Sequence, residues 1–326
     1  MSKTFLVAAP TGANRTKNGR CLGRALERLG FTVHFFDYDN CGALACVPKP
    51  LRGARWESAA RACVNESLIK TVARLRPDYF LCVKGLVLSR ETIREIGAMG
   101  AMTIGYWIDD PLDHARSLIN AGAYDLYLTN DAHSVGHYRE AGLKNVRYFP
   151  SAVDETLFRP CETKHGSASV SFVGTVSARR REVITEVLDF DICAYGSGWK
   201  KQSWMPSAKA GHEVFGDRLN EVFSSSKVNL NIHNWFGQGT AMNLRLFEVP
   251  AAGGFLLTDW VKEIDEHFVE GKHIACWRSI EELRDKIGWF LSHESERTRI
   301  AAEGHAHVLK HHTYTVRARE LLAMVA

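Results

Sequence analysis

The sequence lacks the motifs that mark the most common nucleotide-binding enzymes. Neither G-x-G-x-x-G nor G-x-x-x-x-G-K-[ST] occurs in its 326 residues. The first motif lets a glycine turn approach the pyrophosphate of a dinucleotide, and the second cradles the phosphates of ATP or GTP. Their absence argues against a nicotinamide-dependent enzyme and against a P-loop NTPase.

Spacings typical of metal sites are also missing. The eight cysteines are scattered without a C-x-x-C pair, which favours free thiols in a reducing cytoplasm. His133 and His137 lie four residues apart without the glutamate of H-E-x-x-H. The histidine-rich run GHAHVLKHHTY has helical spacing, which is typical of a solvated face. We therefore expect no metal site and no bound cofactor.

No apolar run is long enough to span a membrane, although 45% of the residues are hydrophobic. Pro10 and Gly12 interrupt the opening apolar run, which favours a first β-strand over a signal peptide. A net charge of +4 does not by itself indicate nucleic acid as a partner. These features predict a cytoplasmic protein without an integral membrane segment.

What the sequence does contain is a regular alternation of apolar strands and amphipathic helices. In the first half the strand-like runs are TFLVAA, FTVHFFD, DYFLCV, AMTIGYW and YDLYLTN. Helical stretches separate them, which indicates βαβ units and a parallel sheet. A polar segment with Pro160 and Gly166 follows, and the alternation then restarts at SVSFVG. We predict an α/β protein with two Rossmann-like doubly wound domains, 1–160 and 161–326.

Two such domains are expected to face each other across a cleft, with ligands at the carboxyl ends of the strands. In SFVGTVSARRREVI, Gly174 and Thr175 form the turn before a helix whose N-terminus can hold a phosphate. Charge-assisted contacts to the phosphate can come from Arg179, Arg180 and Arg181. Of these three, Arg180 is the candidate for donor binding. The alternative is an ordinary βα turn followed by a solvated arginine run.

CAYGSGWKK is a second candidate segment, since a strand is followed by Gly196, a second glycine and an aromatic residue. Such a turn can bring backbone amides and a ring close to a nucleobase. It can equally be a turn without a ligand.

HNWFGQGTAMNLRLFE is the strongest candidate segment. His233 ends a strand before a glycine-rich loop and is a candidate for sugar contact, and Asn243 is expected to cap the next helix. Arg245 has the planar donor fork that suits a diphosphate, and Glu248 one turn later can accept from a ribose diol. The alternative is a helix-surface ion pair between Arg245 and Glu248, which would contribute about 0–1 kcal/mol.

Candidates in the first half are Asp109 and Asp110, which follow an apolar strand in GYWIDDPLDH. An aspartate at that edge can act as the base for an acceptor hydroxyl, and the alternative is a helix cap formed by Asp-Asp-Pro. The loop PTGANRTKNGR after the first strand has a composition suited to acceptor or phosphate contact.

The stretch SKVNLNIH…NLRLFEVPAAGGFLLTD resembles the carboxyl-terminal signature of the CgeB-like glycosyltransferases, relatives of the group-one glycosyltransferases with the GT-B fold. SVSFVGTVSARR, GYWIDDP and YLTNDAHSVGHYREAGLKNVRYFPSAVDETLFRP resemble further segments of that family in the same order, over roughly residues 100–315. By this resemblance Glu248 matches the glutamate that holds the donor ribose. Many members of the superfamily carry a second glutamate eight positions earlier, where this chain has Thr240.

The resemblance implies a metal-independent glycosyltransferase that takes a sugar from a nucleotide diphosphate. The second domain would bind the donor and the first an acceptor, such as a surface polysaccharide, a protein or a modified nucleic acid. The departure at Thr240 leaves the sugar and the stereochemical outcome open. Two alternatives remain at this point: a nucleotide-sugar epimerase of the same fold, and a non-catalytic nucleotide-sugar binding protein.

Overall fold

The computed structural model describes residues 3–10, 18–38, 54–161, 168–234 and 241–326, with side chains in the third range from residue 56. The chain divides into two compact units: Met1–Ser151 with Arg317–Ala326, and Ala152–Val316.

The first unit contains a six-stranded sheet in the order β2-β1-β3-β4-β5-β6. Every neighbouring pair is parallel. Strand β3 is buried along its whole length, as its continuous apolar sequence YFLCV predicts for a sheet covered on both faces. The strands are β1 (Thr4–Ala9), β2 (Thr32–Asp37), β3 (Tyr79–Val83), β4 (Met102–Trp107), β5 (Leu126–Thr129) and β6 (Val146–Tyr148).

Helices connect these strands, and α3 shows capping chemistry at both of its ends. The Ser89 hydroxyl accepts from the Thr92 amide at 3.1 Å at the start of α3, and Gly100 follows the helix with a φ of 98°. The helices are α1 (Asn18–Arg28), α2 (Ala54–Leu75), α3 (Arg90–Ala98), α4 (His114–Ala121) and α5 (Ser134–Glu140).

The second unit repeats this plan with a sheet in the order β12-β11-β10-β7-β8-β9. Its neighbouring strands are also parallel. The strands are β7 (Val170–Val173), β8 (Ile192–Tyr195), β9 (Ala210–Gly211), β10 (Val228–Asn231), β11 (Leu256–Asp259) and β12 (Ala275–Trp277). The helices are α6 (Ala178–Thr185), α7 (Gly216–Ser225), α8 (Arg245–Ala251), α9 (Ile264–His267), α10 (Ile280–Ser292), α11 (Glu294–His311) and α12 (Tyr314–Met324), the last ending in the first unit.

Two apolar clusters cover the faces of the second sheet. Phe172 and Leu257 belong to one cluster, and their neighbours Val173 and Leu256 belong to the other. Successive residues of a strand point to opposite faces, so this alternation buries both sides of the sheet. The predicted α/β fold with two parallel sheets is confirmed.

The division between the units falls after Ser151, whereas the sequence placed it at residue 160. The segment that follows Ser151 is bonded to the second unit. The Val153 amide donates to the His312 carbonyl at 3.0 Å, and the Arg159 amide donates to the Asn220 side chain at 3.1 Å. These partners are more than fifty residues away in sequence, so local composition does not reveal them.

Within the described residues, no helix has both the length and the apolar character needed to cross a membrane.

Candidate active site

The carboxyl ends of β7 and β8 come very close together in the second unit. Gly174 donates its amide hydrogen to the Tyr195 carbonyl at 2.9 Å. Gly196 has a φ of 137°, and a Cβ atom added there would lie 2.3 Å from the Gly174 carbonyl oxygen. Only glycine fits this position, because a side chain would collide with backbone and the φ angle disfavours L-residues.

Trp199, the aromatic residue of the same turn, is fully buried. Its indole N–H donates to the Gly174 carbonyl at 2.7 Å, and its ring packs edge-on against Phe172. The sequence suggested that this segment could bring a ring to a nucleobase. The structure corrects that interpretation for Trp199, because its ring belongs to the hydrophobic core.

Arg180 lies in the first turn of α6, which begins after the N-cap Ser177. Its Nε donates to the Ile232 carbonyl at 3.1 Å and its guanidinium also donates to the Thr175 carbonyl at 3.0 Å. Burial, followed by the positive charge of Arg245, lowers the pKa of Arg180 to about 10. The positive charges of Arg180 and Arg245 therefore repel each other beside the ends of β7 and β10.

Arg245 is the first residue of α8, and its guanidinium group bonds to two partners. Nε donates to the Val173 carbonyl at 3.1 Å, and the guanidinium forms an ion pair with Glu248. The guanidinium also lies over the Phe223 ring, with 5.5 Å to its centroid. The side chains of Arg245 and Glu248 are 25% and 12% exposed, so the pair is more buried than the surface salt bridge considered from sequence.

Asn243 fixes the entry to α8. Its side-chain oxygen accepts from the Arg245 amide at 3.1 Å, although the N-cap residue of α8 is Leu244, one residue later than the sequence suggested. Its side-chain nitrogen donates to Asn231 at 2.9 Å, and Asn231 in turn donates to the Thr258 hydroxyl at 2.9 Å. The start of α8 is thereby tied to the ends of β10 and β11.

His233 follows β10 and is fully buried against Asp259, the last residue of β11. Both Asp259 oxygens accept from the His233 amide at 3.0 Å, and His233 Nδ1 lies 2.7 Å from one of them. Arg179 donates to the other oxygen at 3.2 Å. Burial raises the pKa of Asp259, but His233 and Arg179 outweigh it, so the pKa lies below its ordinary value.

Asp259 was not among the candidates from sequence. The signal that could have identified it is a charged residue at the carboxyl end of the buried strand FLLTD, because parallel strands bring such ends to one edge. The ionised Asp259 accepts hydrogen bonds only, so His233 Nδ1 carries the hydrogen.

In the first unit, Asp109 and Asp110 have different environments. Asp109 forms an ion pair with Lys84 at 2.6 Å, and its side chain is 39% exposed. Asp110 is buried, and its oxygens accept from the Thr129 hydroxyl at 2.5 Å and the Tyr138 hydroxyl at 2.9 Å. His114 Nδ1 lies 3.1 Å from the same carboxylate. Burial raises the pKa of Asp110, and these donors partly oppose the rise.

Neither Asp109 nor Asp110 is the N-cap residue of a helix. The N-cap of α4 is Asp113, and it makes no side-chain capping bond. Asp110 instead bonds to the end of β5, to α4 and to α5 through its carboxylate, which favours a positioning role over direct contact with an acceptor. Asp109 is the more accessible of the two, and its catalytic role stays a prediction.

Residues 178–323 match the family described as glycosyl transferase-like. The spore protein CgeB of Bacillus subtilis (strain 168) is 22% identical, with the match covering 76% of this chain and 83% of CgeB. Together with the two parallel sheets, these matches confirm the resemblance found in the sequence. The protein is a glycosyltransferase with the GT-B fold.

Solved structures agree with this fold assignment. A sucrose-phosphate synthase from Thermosynechococcus elongatus has a TM-score of 0.70 at 10% identity, and the match covers 99% of this chain and 98% of the synthase. HepE from Anabaena in complex with UDP-glucose has a TM-score of 0.67 at 9% identity and 99% coverage of both chains. At these identities the likeness concerns the fold alone.

The structure of the glycosyltransferase brings most donor-side candidates to one edge of the second sheet. Thr175 is bonded to Arg180, Asn243 to Arg245, and Arg245 to Glu248. Gly237, Gly239 and Thr240 lie outside the described residues, as does most of the PTGANRTKNGR loop, so those predictions stay open.

Among the residues that the structure describes, no group of three or more histidine, cysteine, aspartate or glutamate side chains is placed to hold a metal ion. His133 and His137 have rings 4.6 Å apart, and the ring of His114 is their further neighbour, 5.6 Å from His137.

Proposed function

We propose that this glycosyltransferase takes its sugar from a nucleotide-diphosphate donor bound at the carboxyl edge of the second sheet. The observation that supports this most strongly is the pair of arginines at that edge. Burial, followed by the positive charge of Arg245, lowers the pKa of Arg180, and a diphosphate would neutralise both guanidinium charges. HepE, which shares the fold, was crystallised with UDP-glucose.

Each candidate residue has a role in this proposal. Arg180 and Arg245 contact the diphosphate, and the start of α6 contributes backbone N–H groups beside Gly174 and Thr175. Glu248 accepts from the ribose hydroxyls. Because Glu248 already pairs with Arg245, donor binding exchanges part of that ion pair for contacts with the ligand.

Three further residues complete the donor side. Gly196 lets the turn after β8 pack against Gly174 beside the donor, His233 is the candidate for sugar contact from its buried place against Asp259, and Asn243 holds the start of α8. In this proposal the leaving diphosphate is stabilised by arginine and helix N–H groups without a resident metal ion. The first unit binds the acceptor, and the protein acts in the cytoplasm.

A panel of nucleotide sugars tests the proposal, with free nucleotide measured in the presence and absence of candidate acceptors. Transfer requires nucleotide release that increases with an acceptor. Conversion of the sugar without an acceptor and without nucleotide release would indicate an epimerase. Saturable binding without any turnover would indicate a binding protein.

A further inference from the structure

Five histidines of the second unit form a cluster that packs against α8. They come from the end of α9, the turn before β12 and the end of α11: His267, His273, His307, His311 and His312. His312 is buried, and its ring centroid lies 5.4 Å from that of Phe247 on α8 and 5.1 Å from that of Phe268. Phe247 precedes Glu248, so the histidine cluster supports the helix that carries the proposed donor contacts.

A neighbouring carbonyl group fixes the hydrogen between His307 and His312. His307 Nε2 lies 2.7 Å from the His267 carbonyl oxygen, which can only accept, so this nitrogen carries a hydrogen. His312 Nε2 lies 3.3 Å from the same nitrogen and is therefore an acceptor in the neutral ring. A protonated His312 would carry hydrogen on both nitrogens, and two N–H groups would then face each other in a buried site.

His273 adds a second close pair of rings. It stacks on His307 with 3.9 Å between centroids. The helix α11 approaches this turn closely, because a Cβ atom added at Gly304 would lie 2.2 Å from the His273 carbonyl oxygen. Burial, followed by His307, lowers the pKa of His273 to about 4, and burial is also the main cause of the lowered pKa of His307. The intact cluster therefore disfavours added protons.

Charged groups around the cluster act mainly in the same direction. The basic groups that lower pKa values within it are Lys272, Lys310 and His311. Glu303 opposes the shift at His273, but it also pairs with Arg299 at 2.6 Å. Further acidic side chains on the surrounding elements are exposed, as Glu266 is, or bond to other partners: Glu155 to Thr315, Glu248 to Arg245, Glu263 to the Met242 amide, Asp265 to Trp260 and Glu270 to Arg278.

We propose that the histidine cluster is a proton-sensitive support of α8, and that its protonation and donor binding oppose each other. The cluster takes up protons when its rings separate, and this separation moves His312 away from Phe247. The helix α8 then loses packing that holds Arg245 and Glu248 at the edge of the second sheet. The inference rests on the proposed donor site at α8.

The direction of the pH effect follows from proton linkage. When the rings separate, His273 returns toward its ordinary pKa of 6.5, whereas in the intact cluster its pKa is about 4. Below pH 6.5 the separated form therefore binds a proton that the intact form does not, and the support is complete only above that pH. Each pH unit in this window shifts the balance about tenfold for each histidine with such a pKa difference.

Amide hydrogen exchange tests the support without any ligand. Protection factors are compared, because they correct for the intrinsic effect of pH on exchange. In the wild type, protection of the Phe247 and Glu248 amides should fall about tenfold or more between about pH 6.5 and 5.5. Protection of α3, a helix without histidine in the first unit, should stay constant over the same range.

The His312→Phe variant separates titration from packing. It keeps an aromatic ring beside Phe247 but cannot bind a proton, so its α8 protection should fall less steeply with decreasing pH. A loss of packing alone would lower protection equally at both pH values. If this variant does not fold, His273→Gln tests the same point through the stacked pair. His133→Gln, which changes an exposed histidine of the first unit, is the matched control and should keep the wild-type slope.

Exchange in the presence of UDP-glucose tests the connection to the donor. A ligand that binds only when α8 is in place stabilises that form by mass action. At about 100 times its Kd, UDP-glucose should therefore raise α8 protection about a hundredfold at pH 5.5. UDP-glucose has no phosphate group that titrates in this range, so its own charge stays constant.

The outcomes separate this inference from the proposed function. Equal pH slopes for α8 and α3, or for the wild type and His312→Phe, would overturn the inference and leave the donor proposal standing. Bound UDP-glucose that does not raise α8 protection would overturn the opposition between protons and donor. Failure of the wild type to bind any nucleotide sugar would remove the proposed function, and exchange without ligand would still decide whether the cluster supports α8.

Discussion

Arg245 and Glu248 form an ion pair three residues apart on a helix, a contact that on an open surface would contribute little to stability. Here the arginine is also bonded to the Val173 carbonyl and lies over Phe223, and Glu248 is only 12% exposed. Both side chains are therefore held at the edge where the donor is proposed to bind. These contacts keep the two oppositely charged side chains ordered in the absence of a ligand.

Glu248→Gln should weaken nucleotide binding if Glu248 accepts from the ribose hydroxyls. Hydrogen bonds to a charged group contribute about 1.5–3 kcal/mol, which corresponds to about ten- to a hundredfold in affinity. Arg245→Ala should weaken a nucleoside diphosphate more than the nucleoside, because its proposed partner is the phosphate charge. Calorimetric titration of both variants with the two ligands measures these losses.

The chain contains a matched control for this pair. Arg218 and Glu221 have the same spacing on α7, with side chains 48% and 28% exposed, and neither has a proposed role. Arg218→Ala and Glu221→Gln should leave both affinities unchanged. If the Arg245 and Glu248 variants behave like these controls, the donor does not bind at α8.

At the scale of elements, α8 depends on α11 for its position. It is a short helix that contains Pro250, whose carbonyl lies 3.0 Å from His305 Nδ1 on α11. Phe247 packs against the His312 ring with 5.4 Å between centroids. The histidine-rich run that the sequence suggested was a solvated face therefore includes His312, which is buried behind the proposed donor site.

Histidine rings also join α11 to the turn before β12. His273 stacks on His307 with 3.9 Å between centroids and 15° between planes, and His273 Nδ1 accepts from the Val269 amide at 3.2 Å. Burial, followed by His307, lowers the pKa of His273 to about 4; Lys272 and His311 lower it further, and Glu303 opposes the shift. The pKa of His307 is lowered as well, first by burial and then by the charges of His311, Lys272 and Lys310.

Stability should therefore fall as the pH decreases from about 6.5 toward 4. In that window the unfolded chain binds a proton at His273 and the folded chain does not, so protonation favours unfolding. His273→Gln keeps an acceptor for the Val269 amide and removes the titrating group. Its melting temperature should decline less steeply between pH 7 and 5 than that of the wild type.

Thermal melts of the wild type, His273→Gln and His133→Gln across this range check the expectation. His133 is exposed on the first unit, so its variant should follow the wild-type curve. Parallel curves for wild type and His273→Gln would show that the stacked pair does not contribute to the pH dependence.

At the scale of the whole molecule, activity should survive excess chelator. The described residues offer no cluster of metal ligands, and the proposed diphosphate site is built from arginine and helix N–H groups. Nucleotide release with and without chelator measures this directly. Complete loss of transfer in chelator, restored by manganese, would show that a metal ion takes part.

The alternation of strands and helices was determined by the sequence alone. Strands such as YFLCV and VSFV are short, apolar and bounded by turn residues, and some of the helices between them begin at a serine cap. Hydrophobic period and capping depend on neighbours within a few residues, so they predict two parallel sheets without knowledge of long-range contacts. The candidate segments at the carboxyl ends of strands followed from the same pattern.

The directions and partners of individual side chains were decided only by the tertiary structure. Asp109 and Asp110 are adjacent in sequence, yet one pairs with Lys84 and the other is buried against Thr129, Tyr138 and His114. The reason is physical: a buried charge takes its position from donors on other elements, and those elements meet only when strands that are distant in sequence become neighbours in the sheet.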